Sequence, residues 1–299
     1  MIVKHVRILS VAALLLFTIS CDEESTGPVD AEVAAPTNLR AASASEAIIL
    51  DWTPSVSENQ DNFGGYKITV LNKDDNQSFF ENAPKGDGHT VTGLQNGTRY
   101  ECTVHAMTTM DNESPTAAKI EWAPAIRREV DQHGQAIRVY ATTSTNFHSA
   151  VDLYNASGIC EVIPQSGQEF RDRGDLFVYA PTETSNFLVI RTPSAANNKG
   201  LETHFSTVSY NADDLDAQFT TTAPATSTYT SFEVTISSAP FDMGKVIYGR
   251  LKRGSDYYYF RLLVTRGENG RMVQGSGADR YLELVVSFQH IRNIPFAKQ

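Results

Sequence analysis

The sequence predicts an all-β protein with two folded domains. Apolar and polar residues alternate over short segments, as at Ile48, Leu50 and Trp52, and a period of two is typical of half-buried strands. Turn residues such as Gly, Asn and Asp separate these segments, and no long stretch has the 3.6-residue period of a helix. The pattern therefore predicts antiparallel strands packed as sandwiches.

The N-terminus has the composition of an export signal. Lys4 and Arg7 precede an apolar run at 8–19, which has 12 residues. That length fits the core of a signal peptide and is shorter than the roughly 20 residues that a membrane-spanning helix needs. The sequence therefore predicts a signal peptide at 1–20.

The end of this run, Thr18-Ile19-Ser20-Cys21, resembles the lipobox of bacterial lipoproteins, although Thr18 stands where that family usually has Leu. The resemblance implies that Cys21 becomes the lipidated first residue, attached to an outer membrane or cell surface of a Gram-negative bacterium. Asp22-Glu23-Glu24 resembles a surface-export signal in some lineages and a retention signal in others, so orientation stays open. Ordinary secretory cleavage is the alternative.

Charge and cysteine content limit the possible partners. The net charge of −10 becomes −12 when the two basic residues of 1–20 are removed, which argues against nucleic acid or anionic lipid bound through a basic surface.

With Cys21 lipidated, two further cysteines remain, Cys102 and Cys160. They are predicted to lie in different domains as buried thiols, without a disulfide.

A low-periodicity segment at 21–35 is predicted to be an acidic tether, and a folded domain follows at 36–124. The domain resembles a fibronectin type III domain through residues that occur in the family's order: Pro36, Leu39, Trp52, Tyr66, Leu94, Gly97-Thr98 and Tyr100. The resemblance implies an immunoglobulin-like sandwich, with the Tyr100 hydroxyl bonded to backbone upstream. In exported bacterial proteins such domains are spacers or interaction modules.

A boundary is predicted at 123–135, followed by a β-rich domain at 136–299. The strand candidates are 137–142, 150–154, 176–180, 187–192, 232–236, 246–251, 257–265 and 281–288. Their number predicts a second β-sandwich or a jelly-roll-like domain. Residues 211–219 are predicted to form a helical turn or a loop.

The candidate ligand-binding residues lie near the C-terminus. One side of the predicted strand at 257–265 is apolar and is assigned to the core: Tyr258, Phe260, Leu262 and Val264. The other side carries Tyr257, Tyr259 and Arg261, which would form a half-exposed aromatic and cationic row. Such a row could bind a glycan or anchor a protein partner. Alternatively, a neighbouring strand or the first domain covers it.

Other short motifs are assigned to structure. Arg173-Gly174-Asp175 leads directly into a predicted strand, and the acidic clusters at 74–76 and 213–216 lack the spacing of a calcium loop. No metal site is predicted. The usual signatures of hydrolases, nucleotide-binding enzymes and metalloproteases are missing from the sequence, so the expectation is a protein that is not an enzyme.

The segments at 152–158, 174–177 and 244–248 resemble the order of motifs in HmuY-like haem-binding lipoproteins, although Gly174 stands where that family has Trp. The resemblance implies axial ligands such as His148, His204 or Met272.

From all of these features, the sequence is expected to encode a lipid-anchored binding protein for a glycan, a surface protein or another envelope component, without a cofactor. Haem capture is the first alternative, and a structural envelope scaffold is the second.

Overall fold

The computed structural model describes residues 32–196 and 201–295. The predicted signal peptide at 1–20, Cys21 and most of the predicted tether lie outside the described residues. From Glu32 onward the chain belongs to one compact unit. Within the described ranges, no helix is both long enough and apolar enough to cross a membrane.

The first domain contains seven strands in two sheets. The strands are β1 (Thr37–Ala44), β2 (Ala47–Thr53), β3 (Phe63–Asn72), β4 (Ser78–Ala83), β5 (Gly88–Thr92), β6 (Tyr100–Thr108) and β7 (Ala118–Trp122). One sheet has the order β1-β2-β5, and the other has the order β4-β3-β6-β7. All neighbours are antiparallel. This is the predicted sandwich.

The family's characteristic residues occupy the predicted places in this domain. The buried Trp52 ring lies 5.1 Å from that of Tyr66, measured between centroids. The backbone N–H of Gln95 donates to the Tyr100 hydroxyl at 3.0 Å, which confirms the predicted link to upstream backbone. Val33 is also buried in this domain, so the packed chain begins inside the segment predicted to be a tether.

The Gly64-Gly65 pair suggests a turn before the third strand, and this prediction is wrong. Both glycines lie within β3, where the register with β6 shifts between Phe63 and Gly65. A Cβ atom on Gly64 would lie 2.5 Å from the carbonyl oxygen of Thr108. The glycines therefore permit an irregular strand and close backbone contact, because glycine has no side chain to obstruct them.

The second domain is also built from two sheets. Its elements are β8 (Ile126–Arg128), β9 (Ile137–Tyr140), β10 (Ala150–Asp152), β11 (Glu161–Ile163), α1 (Gly167–Arg173), β12 (Leu176–Tyr179), β13 (Phe187–Arg191), β14 (Glu202–Asn211), β15 (Tyr229–Ser231), β16 (Glu233–Ser237), β17 (Lys245–Arg253), β18 (Asp256–Val264), β19 (Val273–Gln274) and β20 (Tyr281–Phe288). The smaller sheet has the order β11-β10-β12-β13-β16. The larger has the order β15-β14-β17-β18-β20-β19, and β8 and β9 also pair with β20.

The core of this domain contains the side chains that alternation assigned to it. Phe260, Leu262 and Val264 of β18 are buried in one apolar cluster, together with Leu282, Leu284, Val286 and Phe288 of β20. Strands occur at all eight predicted places. Gly254 and Gly270 follow β17 and β18 and have positive φ, as glycines in reversing turns do. Residues 212–219 are irregular, which agrees with the loop alternative.

The two remaining cysteines are buried and unpaired. Cys102 belongs to the core of the first domain and Cys160 to that of the second. Burial raises the pKa of Cys102 to about 12 and also raises the pKa of Cys160. These observations confirm the prediction of two buried thiols in separate domains.

Direct hydrogen bonds join the two domains. Ala41 of β1 and Thr220 exchange two backbone bonds, of 2.9 and 3.1 Å. The segment predicted as a boundary contains β8, which pairs with β20. The side-chain amide of Gln289, which follows β20, donates to Pro124 O at 3.1 Å. The connection between the domains is thus hydrogen-bonded structure.

Candidate functional site

The row formed by Tyr257, Tyr259 and Arg261 lies against the first domain. Tyr259 is 5% exposed and Arg261 is 0% exposed, while Tyr257 is half-buried and packs against the same apolar cluster. The predicted half-exposure is therefore wrong for Tyr259 and Arg261, and the alternative, in which the first domain covers the row, is the arrangement observed. Alternation separated the two sides of β18 correctly, but the alternation within one strand does not report what covers its second side. Leu263 is the next residue on the same side of β18, and it is buried. Its apolar side chain was the sign in the sequence that this side of the strand is covered.

Arg261 has specific polar partners at the domain contact. Its Nη2 donates to Ser43 O of β1 at 2.9 Å, and its Nη1 donates to Gln218 Oε1 at 3.3 Å. The Tyr248 hydroxyl donates to the same Gln218 oxygen at 2.7 Å. The hydrogen bonds from Nη1 and Nη2 offset part of the cost of burying the guanidinium. Arg261 therefore contributes to docking of the two domains.

A cavity of about 620 Å³ lies beside the turn that joins β17 to β18. It is lined in part by Asp152, Arg173 and Arg253. Arg253 donates to the Asp175 carboxylate at 3.1 and 3.3 Å. Arg173 donates to Glu161 at 2.6 Å and to Asp152 at 3.3 Å. Because both arginines are paired with carboxylates of the protein, we assign this network to structure.

Burial dominates the ionisation of the two interior carboxylates. Removal from water raises the pKa of Asp175 to about 7, although Arg253 opposes the shift. Burial likewise raises the pKa of Asp152, and the hydrogen bond from Arg173 opposes that shift. The guanidinium groups thus offset part of the desolvation of these acids.

The remaining short motifs are structural. Asp175 is fully buried, so Arg173-Gly174-Asp175 does not present its carboxylate to a receptor. Asp213 pairs with Arg266, while Asp214 and Asp216 pair with Arg127. Within the described ranges, no three His, Cys, Asp or Glu side chains are grouped to hold a metal ion.

Three aromatic rings meet at an exposed end of the larger sheet, and we call Tyr140, Phe147 and Tyr281 the aromatic row. Tyr140 and Tyr281 are paired residues of β9 and β20, with ring centroids 5.1 Å apart. The Phe147 ring stacks on Tyr140 at 4.1 Å and 17°. Tyr281 lies on the side of β20 that bears Val285, which packs towards the first domain. The row therefore occupies a free part of the sheet face that supports the first domain.

The loop that carries Phe147 is fixed by hydrogen bonds, although Phe147 is 48% exposed. The Ser144 hydroxyl donates to one Asp279 oxygen at 2.6 Å, and the Asn146 amide donates to the other at 3.1 Å. These two bonds hold the pKa of Asp279 below its usual range. Ser144 Oγ also accepts the backbone N–H of Phe147 at 3.1 Å. An exposed aromatic ring is thus held in one position.

Two cavities flank the aromatic row and share Arg138; together with the row they form what we call the aromatic groove. The first cavity, of about 430 Å³, is lined by Tyr140, Phe147, His133 and His148 among others. The second, of about 640 Å³, is lined by Tyr281 and by residues of the loop between β18 and β19. Burial raises the pKa of Tyr140 above its ordinary value.

The haem-ligand candidates are placed apart. His148 lines the first cavity of the aromatic groove. His204 lies in β14 with its Nε2 2.9 Å from Glu202, and Met272 is buried in the core of the second domain. Neither His204 nor Met272 lines the cavity that His148 lines.

The sequence did not identify the aromatic groove. Tyr140 and Tyr281 lie in two strands that were predicted correctly, but their contact depends on the pairing of β9 with β20. That pairing joins residues far apart in sequence. The single available signal was Phe147, a large apolar residue within the polar segment from Thr142 to His148.

Comparison with known proteins identifies the class of the first domain. Residues 34–121 match the fibronectin type III domain family, and the chain contains such a domain, as predicted. No curated protein matches the chain. The domain indicates a binding or scaffold role in general.

Solved structures show similarity to about a third of the chain. The FN5 domain of Drosophila Lar is 23% identical, with 31% of this chain and 97% of that chain covered, at a TM-score of 0.25. The fn3 domain of the human collagen alpha-1(XX) chain is 20% identical, with 36% and 98% covered, at a TM-score of 0.28. The Clostridium perfringens spore cortex lytic enzyme SleM is 18% identical, with 30% and 28% covered, at a TM-score of 0.25.

Proposed function

We propose that this protein is an exported, lipid-anchored, non-catalytic binding protein whose second domain binds a ligand at the aromatic groove. The observation that carries the proposal is Phe147, a 48% exposed ring on a hydrogen-bonded loop that lines the first cavity of the groove. Exposed aromatic rings fixed in advance lose little freedom when a ligand binds, which favours affinity.

In this proposal the fibronectin type III domain is a rigid support. Its interior is continuous with Tyr248, Tyr259 and Leu263 of the second domain in one apolar cluster. Because β1 is also bonded to the second domain through Ala41, that edge of the support is occupied. The proposal therefore assigns ligand binding to the second domain.

Anchoring through Cys21 would place the groove at the outer membrane or cell surface. The proposal rests on the lipobox-like residues that end at Cys21. Lipidation there would have to add more than one acyl chain, because a single chain gives only reversible membrane binding. Replacement Cys21→Ser should move the protein from the membrane fraction to the soluble fraction, measured by immunoblotting after ultracentrifugation. Retention of the variant in membranes would contradict lipid anchoring.

A ligand screen tests the binding role. The melting temperature of the full-length protein is measured with neutral polysaccharides, hemin and purified envelope proteins, for wild type and Phe147→Ser. Phe232→Ser is the matched control, because Phe232 is also 48% exposed. At least one ligand class should stabilise wild type and Phe232→Ser but not Phe147→Ser. If no class does so, the groove is not a binding site and the scaffold role replaces it.

Haem capture is a second candidate, favoured by one observation. His133 and His148 line the same cavity beside Tyr140, and paired imidazoles are suitable axial ligands for haem iron. A hemin titration should then give a shifted Soret band that is lost in His148→Ala. An unshifted band with the wild-type protein would exclude this candidate.

A further inference from the structure

We infer that the ligand of the aromatic groove is a neutral oligosaccharide chain, an inference that rests on the binding role proposed above. The site consists of the aromatic row and two neighbouring cavities whose linings include side-chain amides. Four properties carry the inference: the chemistry of the lining, the arrangement of the rings, the charge balance and the shape of the groove.

The polar lining of the groove is rich in side-chain amides. Gln135 and Asn146 line the first cavity, and Asn269 and Gln274 line the second. An amide carries two N–H donors and an acceptor with two lone pairs, so hydrogen-bonding capacity that the loops do not use suits a ligand with many hydroxyl groups. Gln274 Oε1 lies 3.2 Å from the Tyr281 hydroxyl, so this amide is already oriented beside the aromatic row.

The rings supply the apolar part of the same recognition. A sugar ring has an apolar face of C–H groups, which packs on an aromatic side chain at little cost in side-chain entropy. Phe147 stacks on Tyr140 with one face and is 48% exposed. Its outer face is therefore available for a sugar ring.

The charges of the groove are nearly balanced. Arg138, which lines both cavities, pairs with Glu283 at 3.0 Å, and this hydrogen bond raises the pKa of Arg138. A charged polymer would require an excess of the opposite charge. The balance thus favours a neutral ligand over nucleic acid, acidic polysaccharide or a highly charged peptide.

The groove is extended, because one row joins cavities of about 430 and 640 Å³. A chain of sugars fits two cavities joined by a shared wall, with one unit over Phe147 and neighbouring units beside the amides. A haem group, by contrast, is a flat and largely apolar macrocycle with two propionates at one edge, and it is best bound in one enclosed, mostly apolar pocket. The amide lining therefore favours the oligosaccharide over haem.

Affinity electrophoresis tests the inference with starch, xylan, laminarin and mannan as probes. The full-length protein should be retarded by at least one of them, and Phe147→Ser should weaken binding about tenfold. Phe232→Ser, with equal exposure outside the groove, should leave the retardation unchanged. Gln135→Ala, at an exposed lining position, should weaken binding about threefold and provides a second test if Phe147→Ser does not fold.

The outcomes separate this inference from the binding role itself. The inference that the ligand is an oligosaccharide is overturned if none of the four polysaccharides retards the protein. It is also overturned if wild type, Phe147→Ser and Gln135→Ala are retarded equally. If hemin or an envelope protein then stabilises wild type but not Phe147→Ser, the groove is a binding site for another class of ligand. If no ligand class depends on Phe147, the proposed binding role fails as well.

Discussion

Asp175 illustrates how single residues of the second domain depend on their surroundings. Its carboxylate is fully buried, accepts the backbone N–H of Leu153 at 2.8 Å and pairs with Arg253. Burial nevertheless raises its pKa to about 7, from about 3.9 in an unfolded chain. The folded protein therefore binds this proton more tightly than the unfolded chain does.

A pH dependence of stability follows from this difference at Asp175. Because the folded pKa is raised, the contribution of Asp175 to stability is fully present below about pH 4 and is lost as the pH rises through about 7. Between pH 5 and 8, the free energy of unfolding of wild type should fall relative to that of Asp175→Asn, measured by urea denaturation. Asp242→Asn, on an exposed loop, is the control. Parallel curves for wild type and Asp175→Asn would contradict this account.

Residue-level prediction from the sequence succeeded where a side chain depends on its own strand. Alternation placed Phe260 and Leu262 in the core. It failed for Arg261, whose burial depends on Ser43, a residue of the other domain. The exposure of a polar residue on a correctly predicted strand is thus decided by contacts that one sequence segment does not encode.

At the scale of elements, β3 begins irregularly, at the Gly64-Gly65 pair. Gly65 has a φ of 126°, and a Cβ atom there would lie 2.6 Å from Ala83 O of β4. Gly86 has a similar φ of 147°, but a Cβ atom at Gly86 would have no other atom within 4 Å. The two glycines therefore separate the effect of backbone conformation from that of steric overlap.

Replacement of Gly65 tests the role of this close approach. Gly65→Ala should lower the free energy of unfolding by about 2 kcal/mol more than Gly86→Ala, because only the first variant places a methyl group against backbone. Both values come from urea denaturation monitored by tryptophan fluorescence. Equal losses would show that the conformation alone requires glycine at these positions.

The sequence predicted elements well where apolar alternation is regular, as in β18 and β20. It missed β14, whose pairing with β17 shifts register between Phe205 and Ser209. That shift interrupts the alternation, and the inward-facing Thr203 and Ser206 are polar. It also missed α1, a seven-residue helix with Phe170 as its buried residue, because one turn or two of helix carry little periodicity.

At the scale of the whole molecule, the fibronectin type III domain and the second domain pack as one body. Leu215, Tyr248 and Tyr259 of the second domain belong to the apolar cluster that contains the first domain's interior. The sequence left this contact open, as the alternative in which the first domain covers the row of Tyr257, Tyr259 and Arg261, since the packing of one surface on another leaves no periodic signal in either segment.

Arg261 is the residue through which this packing can be tested. Arg261→Ala removes the donor to Ser43 O and leaves buried polar groups without their partner, so the free energy of unfolding should fall by about 3 kcal/mol. Arg292→Ala is the control, since Arg292 is 68% exposed in its pair with Asp256 and exposed pairs contribute little. Equal stability of the two variants would contradict a role for Arg261 in docking.

The most direct test of the account is differential scanning calorimetry of the full-length protein. If the first domain is a rigid support that shares its core with the second, the two domains should unfold in a single transition, with equal calorimetric and van't Hoff enthalpies. Arg261→Ala should lower the temperature of that transition or divide it into two. Two independent transitions in the wild-type protein would contradict the account, because they would show that the domains fold separately.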